Sequence, residues 1–103
     1  MTLIPMAVLI CTLSAGSFTT EQIFPPHPLH NHSSSIVELP GGDLLAAWYR
    51  GSGEGDADDV QIMGARKSSG AEQWSDPFIL ADTPDHPDLN PVLFLDPWQQ
   101  LWL

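Results

Sequence analysis

The sequence predicts an all-β chain built from antiparallel strands. Short apolar runs alternate with turns rich in glycine, proline and aspartate, a pattern typical of strands joined by hairpins. The chain has 103 residues, and its ten prolines and eight glycines interrupt helices and favour turns. Its four tryptophans agree with this class, because large aromatic side chains are enriched in strands.

Residues 1–17 are apolar and uncharged and end in small residues, which predicts a secretory signal peptide cleaved near Gly16 or Ser17. The segment has no basic residue ahead of the apolar run, and an incorrectly assigned start codon is an alternative. The run is too short to predict a membrane span. Cys11, the one cysteine, lies in this segment, so the mature chain would have no disulfide. We therefore expect a secreted or periplasmic protein.

Residues 18–32 are predicted to be an irregular lead-in, because their prolines are incompatible with a helix or a central strand. Three of the four histidines lie here: His27, His30 and His32. A His-x-His pair can bind zinc or another transition metal. Since no third ligand at a typical spacing is evident, we interpret these histidines as exposed hydrogen-bonding groups and predict neither a metal nor a cofactor.

Residues 33–81 are predicted to form one antiparallel sheet unit. Pro40-Gly41-Gly42-Asp43 contains the residues that turn a hairpin. The strand assignments follow from alternation and from short apolar runs. They are Ser35–Leu39, Leu44–Tyr49, Val60–Lys67 and, as an outer strand, Pro77–Leu80.

Residues 90–103 are predicted to begin a second unit after the acidic, proline-rich connection 82–88. Val92–Leu95 is interpreted as a buried strand, and Asp96-Pro97 as the next hairpin. The chain stops inside an apparent strand, so we expect it to be a fragment of a larger array.

The loop 51–59 concentrates carboxylates next to an arginine. Its acidic residues are Glu54, Asp56, Asp58 and Asp59. Mutual repulsion would raise some of their pKa values, as a general acid near neutral pH requires. A solvated acidic turn and a calcium-binding loop are the alternatives. Arg50 directly precedes the loop; its planar fork of donors suits the carboxylate of an acidic sugar, or forms a structural pair with the loop.

The charge balance excludes one class of partner. Thirteen acidic residues against three basic ones give a formal charge of −10. Nucleic-acid binding needs clustered lysine and arginine to neutralise phosphates. An anionic membrane surface is disfavoured for the same reason.

Several segments together resemble the opening blade of the sialidase (neuraminidase) superfamily, marked by bacterial neuraminidase repeats or Asp-boxes. The resemblance covers about residues 31–103 and implies the first two blades of a six-bladed β-propeller, with blade one at about 33–81 and blade two beginning at about 90. The Asp-box position at 67–74 is degenerate, because Ser69 replaces the aspartate while Gly70 and Trp74 remain. We interpret this turn, and Arg66 beside it, as structural. The other matching segments are Ser34–Val37, Gly42–Ala47, Arg50, the acidic loop, Ala65–Lys67, Asn90–Asp96 and Leu101–Leu103.

The resemblance implies an exo-sialidase-like glycoside hydrolase that removes terminal acidic sugars from glycoconjugates. Asp56 is the candidate acid/base, and the family's tyrosine nucleophile would lie beyond Leu103, so the fragment alone is expected to be inactive. No arginine precedes Arg50, although the family carries an Arg-Ile-Pro motif in the lead-in. The candidate substrate-binding residues are Arg50, Asp58, Asp59, His32 and Asp88.

Two further hypotheses stay open at this point. The missing lead-in arginine favours a non-catalytic carbohydrate-binding propeller, or a hydrolase of a different sugar. The abrupt end of the chain is also compatible with a truncated, nonfunctional product.

Overall fold

The protein is described by a computed structural model that covers residues 16–103. Residues 1–15 of the predicted signal peptide, including Cys11, lie outside the described residues. Only its last two residues, Gly16 and Ser17, fall within them. Within the described range every regular element is a strand, as the composition predicts. No helix in this range is long and apolar enough to cross a membrane.

Four consecutive strands form one antiparallel sheet, in the order β1-β2-β3-β4, and two short strands form a separate hairpin, β5-β6. The predicted hairpin succession of the first unit is therefore confirmed. The strands are β1 (His30–Glu38), β2 (Leu44–Gly51), β3 (Gln61–Lys67), β4 (Phe78–Ala81), β5 (Phe94–Leu95) and β6 (Leu101–Trp102).

Strand β1 begins at His30, inside the segment that the sequence predicts to be irregular through His32. The last proline of the lead-in is Pro28, so the backbone from His30 onwards is free to pair. His30 lies opposite Gly51 and His32 opposite Tyr49. Two histidines therefore belong to the sheet and not to a flexible lead-in.

The turn between β1 and β2 has the chemistry expected from its sequence. The amide of Leu39 donates to the carbonyl of Asp43 at 2.7 Å, and that of Gly42 donates to the carbonyl of Leu39 at 3.0 Å. Gly41 and Gly42 have φ angles of 96° and 90°, which residues with a Cβ rarely adopt. The two glycines thus determine where the hairpin turns.

The sheet is covered by apolar groups on both faces, and β2 is buried on both sides. A strand that is buried on both faces has apolar residues at consecutive positions, which explains the apolar run of β2. One face has a core of Leu45, Ala47, Tyr49, Val60, Ile62 and Leu93. The other has Ala46, Trp48, Met63 and Ala65, packed against Ile23, Phe24 and Trp74.

The prediction of a buried strand at Val92–Leu95 is wrong. Only Leu93 is buried there, with 6% of its surface exposed, whereas Val92 is 65% and Phe94 is 52% exposed. Strand β5 is short and pairs only with β6, so its outer face packs against no further strand among the described residues. Leu93 instead joins the core of the first sheet, and its amide donates to Ser35 Oγ at 3.0 Å.

The hairpin predicted at Asp96-Pro97 is confirmed. The carboxylate of Asp96 accepts bonds from the amides of Trp98 and Gln100, each at 2.9 Å, and from Trp102 Nε1 at 3.0 Å. The bond from Trp102 is the largest cause of a lowered pKa of Asp96. One side chain therefore organises the whole turn.

The degenerate Asp-box turn receives its carboxylate from elsewhere in the sheet. Asp43 accepts the Ser69 amide at 2.7 Å and pairs with Arg66 at 2.6 Å. Ser75 pairs with the backbone of Arg66 on the same side of the turn. These contacts give Arg66 the structural role that the sequence predicts.

Candidate functional site

Arg50 lies near the end of β2, directly opposite Asn31 of β1. The Asn31 side-chain oxygen accepts hydrogen bonds from Arg50 Nε at 2.7 Å and from Trp48 Nε1 at 3.0 Å. Asn31 is held in turn by a bond from its amide nitrogen to the carbonyl of Leu29 at 2.8 Å. The guanidinium is thereby oriented by a neutral partner, which leaves its charge uncompensated at this contact.

Two aromatic rings support the Arg50 guanidinium. Its central carbon lies 4.7 Å from the Phe24 ring centroid and 5.7 Å from that of Trp48. The two rings stack on each other with centroids 4.8 Å apart. Burial lowers the pKa of Arg50 from its ordinary value, but arginine remains protonated in proteins. The cluster is therefore a fixed cation on an aromatic platform.

Within the described residues only Nε of this guanidinium donates a hydrogen bond. Arg50 Nη2 is buried and makes no hydrogen bond within the described part of the chain. A buried donor without an acceptor typically costs about 1–3 kcal/mol, so an acceptor that reached it would be favoured. Arg50 lines a pocket of about 320 Å³ together with Phe24, Pro25, Pro26, His27, Asp76 and Pro77.

A second cavity, of about 210 Å³, is lined by some of the same groups. Phe24, Asn31 and Trp48 border it on the apolar side, and the serines of β1 add hydroxyl groups. Its lining residues are Ile23, Phe24, Asn31, His32, Ser33, Ser34 and Trp48. The combination of aromatic rings with a few polar groups is typical of small-molecule sites.

Two of the predicted acidic site residues close loops. Asp59 accepts bonds from the Ser52 amide at 3.1 Å and the Ser52 hydroxyl at 2.9 Å. Asp88 accepts bonds from the Thr83 amide at 2.6 Å and the Thr83 hydroxyl at 2.8 Å. Both carboxylates thus have a structural role, and their predicted contact with substrate stays a prediction.

Asp56 and Asp58 differ from these two. Both are exposed, and neither side chain makes a hydrogen bond within residues 16–103. A Cβ on Gly53 would lie 2.8 Å from Asp56 Oδ1, so the glycine leaves room for this carboxylate. Asp56 is therefore available to a ligand or a proton donor at the surface of the loop.

His32 lies in a separate group with His30 and Glu54. The nearest nitrogens of the two imidazoles are 3.4 Å apart, and His32 Nε2 is 3.5 Å from Glu54 Oε1. His27 is not part of this group; its Nδ1 accepts the amide of Leu29 at 3.2 Å. The sequence indicates only the His-x-His pair, whereas the fold also places Glu54 of the acidic loop beside it.

The predicted site residues do not form a single cluster. Arg50 pairs with Asn31 on the face of Trp48, and His32 pairs with Tyr49 on the opposite face. Sequence reasoning missed Asn31 and Phe24, because their contacts with Arg50 depend on the β1–β2 register and on how the lead-in folds back. No local pattern in the sequence indicates either contact.

Residues 42–103 match the family model described as the BNR repeat-like domain. This match confirms the resemblance to the sialidase superfamily. Neither the curated proteins nor the solved structures include a match.

Proposed function

This chain belongs to the family of BNR repeat-like domains, and we propose on that premise that it forms part of a sialidase-like β-propeller acting on terminal acidic sugars of glycoconjugates. A four-stranded antiparallel meander with apolar groups on both faces supports its assignment as a propeller blade. The proposal extends to six blades, of which residues 33–81 are the first and residues 90–103 begin the second.

The observation that carries this proposal is the Arg50 guanidinium, which lines a pocket and makes no salt bridge among the described residues. A sugar carboxylate that entered the pocket lined by Arg50 would pair with the guanidinium and neutralise the cation. Phe24 offers an apolar ring beside it, on which the C–H face of a sugar can pack. An acidic sugar is the ligand class that uses both features together.

Asp56 is the proposed acid/base. Its carboxylate is exposed and is not committed to closing the loop, in contrast to Asp59. In this role it would protonate the leaving oxygen and then deprotonate the attacking water. Tyr49 fits the role of nucleophile poorly, because only 7% of its surface is exposed.

A second candidate function is carbohydrate binding without hydrolysis, or hydrolysis of a different sugar. It is favoured by the commitment of Asp59 and Asp88 to loop closure. It is also favoured by the lead-in, residues 18–32, which has no arginine where the family carries one.

The test is hydrolysis of a fluorogenic sialoside by the full-length natural protein and its variants. We expect Asp56→Asn to lower kcat by about 100-fold or more while sialoside binding persists. Arg50→Lys should raise KM, because a lysine cannot keep both the Asn31 contact and a forked contact with carboxylate.

Asp85→Asn is the matched control, since Asp85 is an exposed aspartate outside the acidic loop. Full activity of Asp56→Asn would overturn the acid/base assignment. Sialoside binding without turnover by the natural protein would select the second candidate function. If the natural protein neither binds nor cleaves sialosides, the acidic-sugar proposal fails.

A further inference from the structure

We propose that His30, His32 and Glu54 bind one Zn²⁺ ion. One ligand atom from each residue lies within 4.8 Å of the other two. Two of the three distances between these ligand atoms are 3.4 Å, between the imidazole nitrogens, and 3.5 Å, between His32 Nε2 and Glu54 Oε1. Zinc–ligand bonds of about 2.0–2.2 Å in a tetrahedron give edges of roughly 3.3–3.6 Å. Two of the three distances thus already match a tetrahedral zinc site, and the third lies within 4.8 Å.

The contacts within this group are better satisfied by a shared cation than by hydrogen bonds. An imidazole nitrogen has one hydrogen-bonding direction, in the plane of the ring. His32 Nε2 faces both His30 Nδ1 and Glu54 Oε1 at similar distances, so it can satisfy only one of them. A metal ion between the three atoms accepts a lone pair from each.

The ligand types favour zinc over calcium and magnesium. Two imidazoles and one carboxylate form a three-ligand set that leaves the fourth tetrahedral position open to water. Calcium and magnesium prefer oxygen ligands and gain little from two histidines. The neighbouring carboxylates of the acidic loop add a negative potential that attracts a cation.

A β-bulge brings the histidines to the correct face. His32 pairs with Tyr49 and Ser35 pairs with Ala47, so two residues of β1 lie opposite Trp48 alone. The bulge includes Ser33, whose φ is 53°. The extra residue places His32 on the same face as Tyr49, against whose ring it packs at 5.4 Å between centroids.

The third ligand comes from the loop that follows β2. Strand β1 holds the two imidazoles at the i and i+2 positions of one face, and Glu54 approaches them from the loop. A bound ion would therefore fasten the acidic loop to β1. This inference does not rest on the proposed glycan chemistry, because Arg50 lies on the other face of the sheet.

The test is zinc titration of the metal-free protein, produced without a polyhistidine tag and followed by calorimetry. We expect one zinc per chain. His32→Ala and Glu54→Gln should each weaken zinc affinity more than about tenfold, because even outer-shell partners of a metal are worth 10–100-fold. His27→Ala and His86→Ala are the matched controls, since both histidines lie outside the cluster and should leave the affinity unchanged.

Two further readouts separate metal loss from misfolding. Cobalt substitution should give the intense visible absorption of a tetrahedral site in the natural protein and not in His32→Ala. Zinc should raise the melting temperature of the natural protein only, since a ligand stabilises the state that binds it. The proposal is overturned if zinc does not bind at micromolar concentration, or if it binds equally well to His32→Ala.

Discussion

At the scale of single residues, Asp43 shows how one carboxylate can connect two turns. It lies in the β1–β2 hairpin, yet it accepts the guanidinium of Arg66 from β3 and the amide of Ser69 from the turn after β3. The bond from the Ser69 amide is the largest cause of the lowered pKa of Asp43, and Arg66 adds to it. The aspartate that the Asp-box lacks at position 69 is thus replaced by one from the neighbouring β1–β2 hairpin.

The lowered pKa of Asp43 predicts acid sensitivity. A carboxyl group with a lower pKa in the folded state than in the unfolded state stabilises the fold above its unfolded pKa, and this stabilisation is lost as pH falls through the folded pKa. Glu21 and Asp96 have lowered pKa values too, so their contributions have the same sign. We therefore expect the thermal midpoint to fall steadily as pH decreases below about 4.

The variant Asp43→Asn isolates the contribution of Asp43 to this acid sensitivity. At pH 7 the variant should melt at a lower temperature than the natural protein, because the amide loses the charged contact with Arg66. The difference should shrink as pH falls, because the natural side chain then also becomes neutral. Asp76→Asn is the control, since the Asp76 carboxylate makes no hydrogen bond among the described residues. A pH-independent difference would contradict the assignment.

At the scale of elements, the exit from β2 into the acidic loop depends on a close approach between Gly51 and Val60, the residue before β3. A Cβ on Gly51 would lie 2.7 Å from Val60 Cγ2 and 2.8 Å from Val60 Cα. Val60 is fully buried in the core, and its carbonyl accepts the amide of Asp88. The chain therefore cannot move away without disturbing the connection to the second unit.

Gly51→Ala tests this approach. We expect the free energy of unfolding to fall by about 1–3 kcal/mol, the usual cost of overpacking a core. Gly55→Ala is a matched control in the same loop, because its Cβ would lie 3.5 Å from Leu89 Cδ1, an ordinary contact. Its effect should stay within about 0.5 kcal/mol. Chemical denaturation measures both, and equal stabilities of the two variants would refute the close-approach argument.

At the scale of the whole molecule, Leu93 joins the two sheet units. Its side chain lies in the core beside Tyr49 and Ile62, and its amide bonds to Ser35. The second unit itself leaves much apolar surface exposed, because Phe94 and Trp102 stack at 6.3 Å yet remain about half exposed. In the proposed propeller, further strands would cover this surface.

Leu93→Ala should therefore destabilise the fold far more than a change at its neighbour. We expect a loss of about 2–5 kcal/mol, as for other buried leucines. Val92→Ala should change the stability by no more than about 0.5 kcal/mol, because that side chain is 65% exposed. Denaturant unfolding followed by tryptophan fluorescence compares the two, and similar losses would show that Leu93 does not connect the units.

Much of the first sheet was predictable because its determinants are local. Gly41 and Gly42 provide the positive φ angles of the first turn, and the apolar run of β2 reflects burial on both faces. The start of β1 was not predictable, because proline spacing indicates where a strand cannot form but not where a partner is available. The burial of Val92–Leu95 was misjudged for a related reason: an apolar run does not reveal whether anything covers it.

For the candidate site, too, some features follow from the sequence and others only from the tertiary structure. The sequence alone indicates an all-β, acidic chain of the BNR-repeat type and singles out Arg50, Asp56 and the histidines by their chemistry. Only the tertiary structure decides which of them meet, because Asn31 reaches Arg50 and Glu54 reaches His32 through strand register, a bulge and a loop. These are contacts between residues distant in the chain, and a one-residue shift in register would move each side chain to the opposite face.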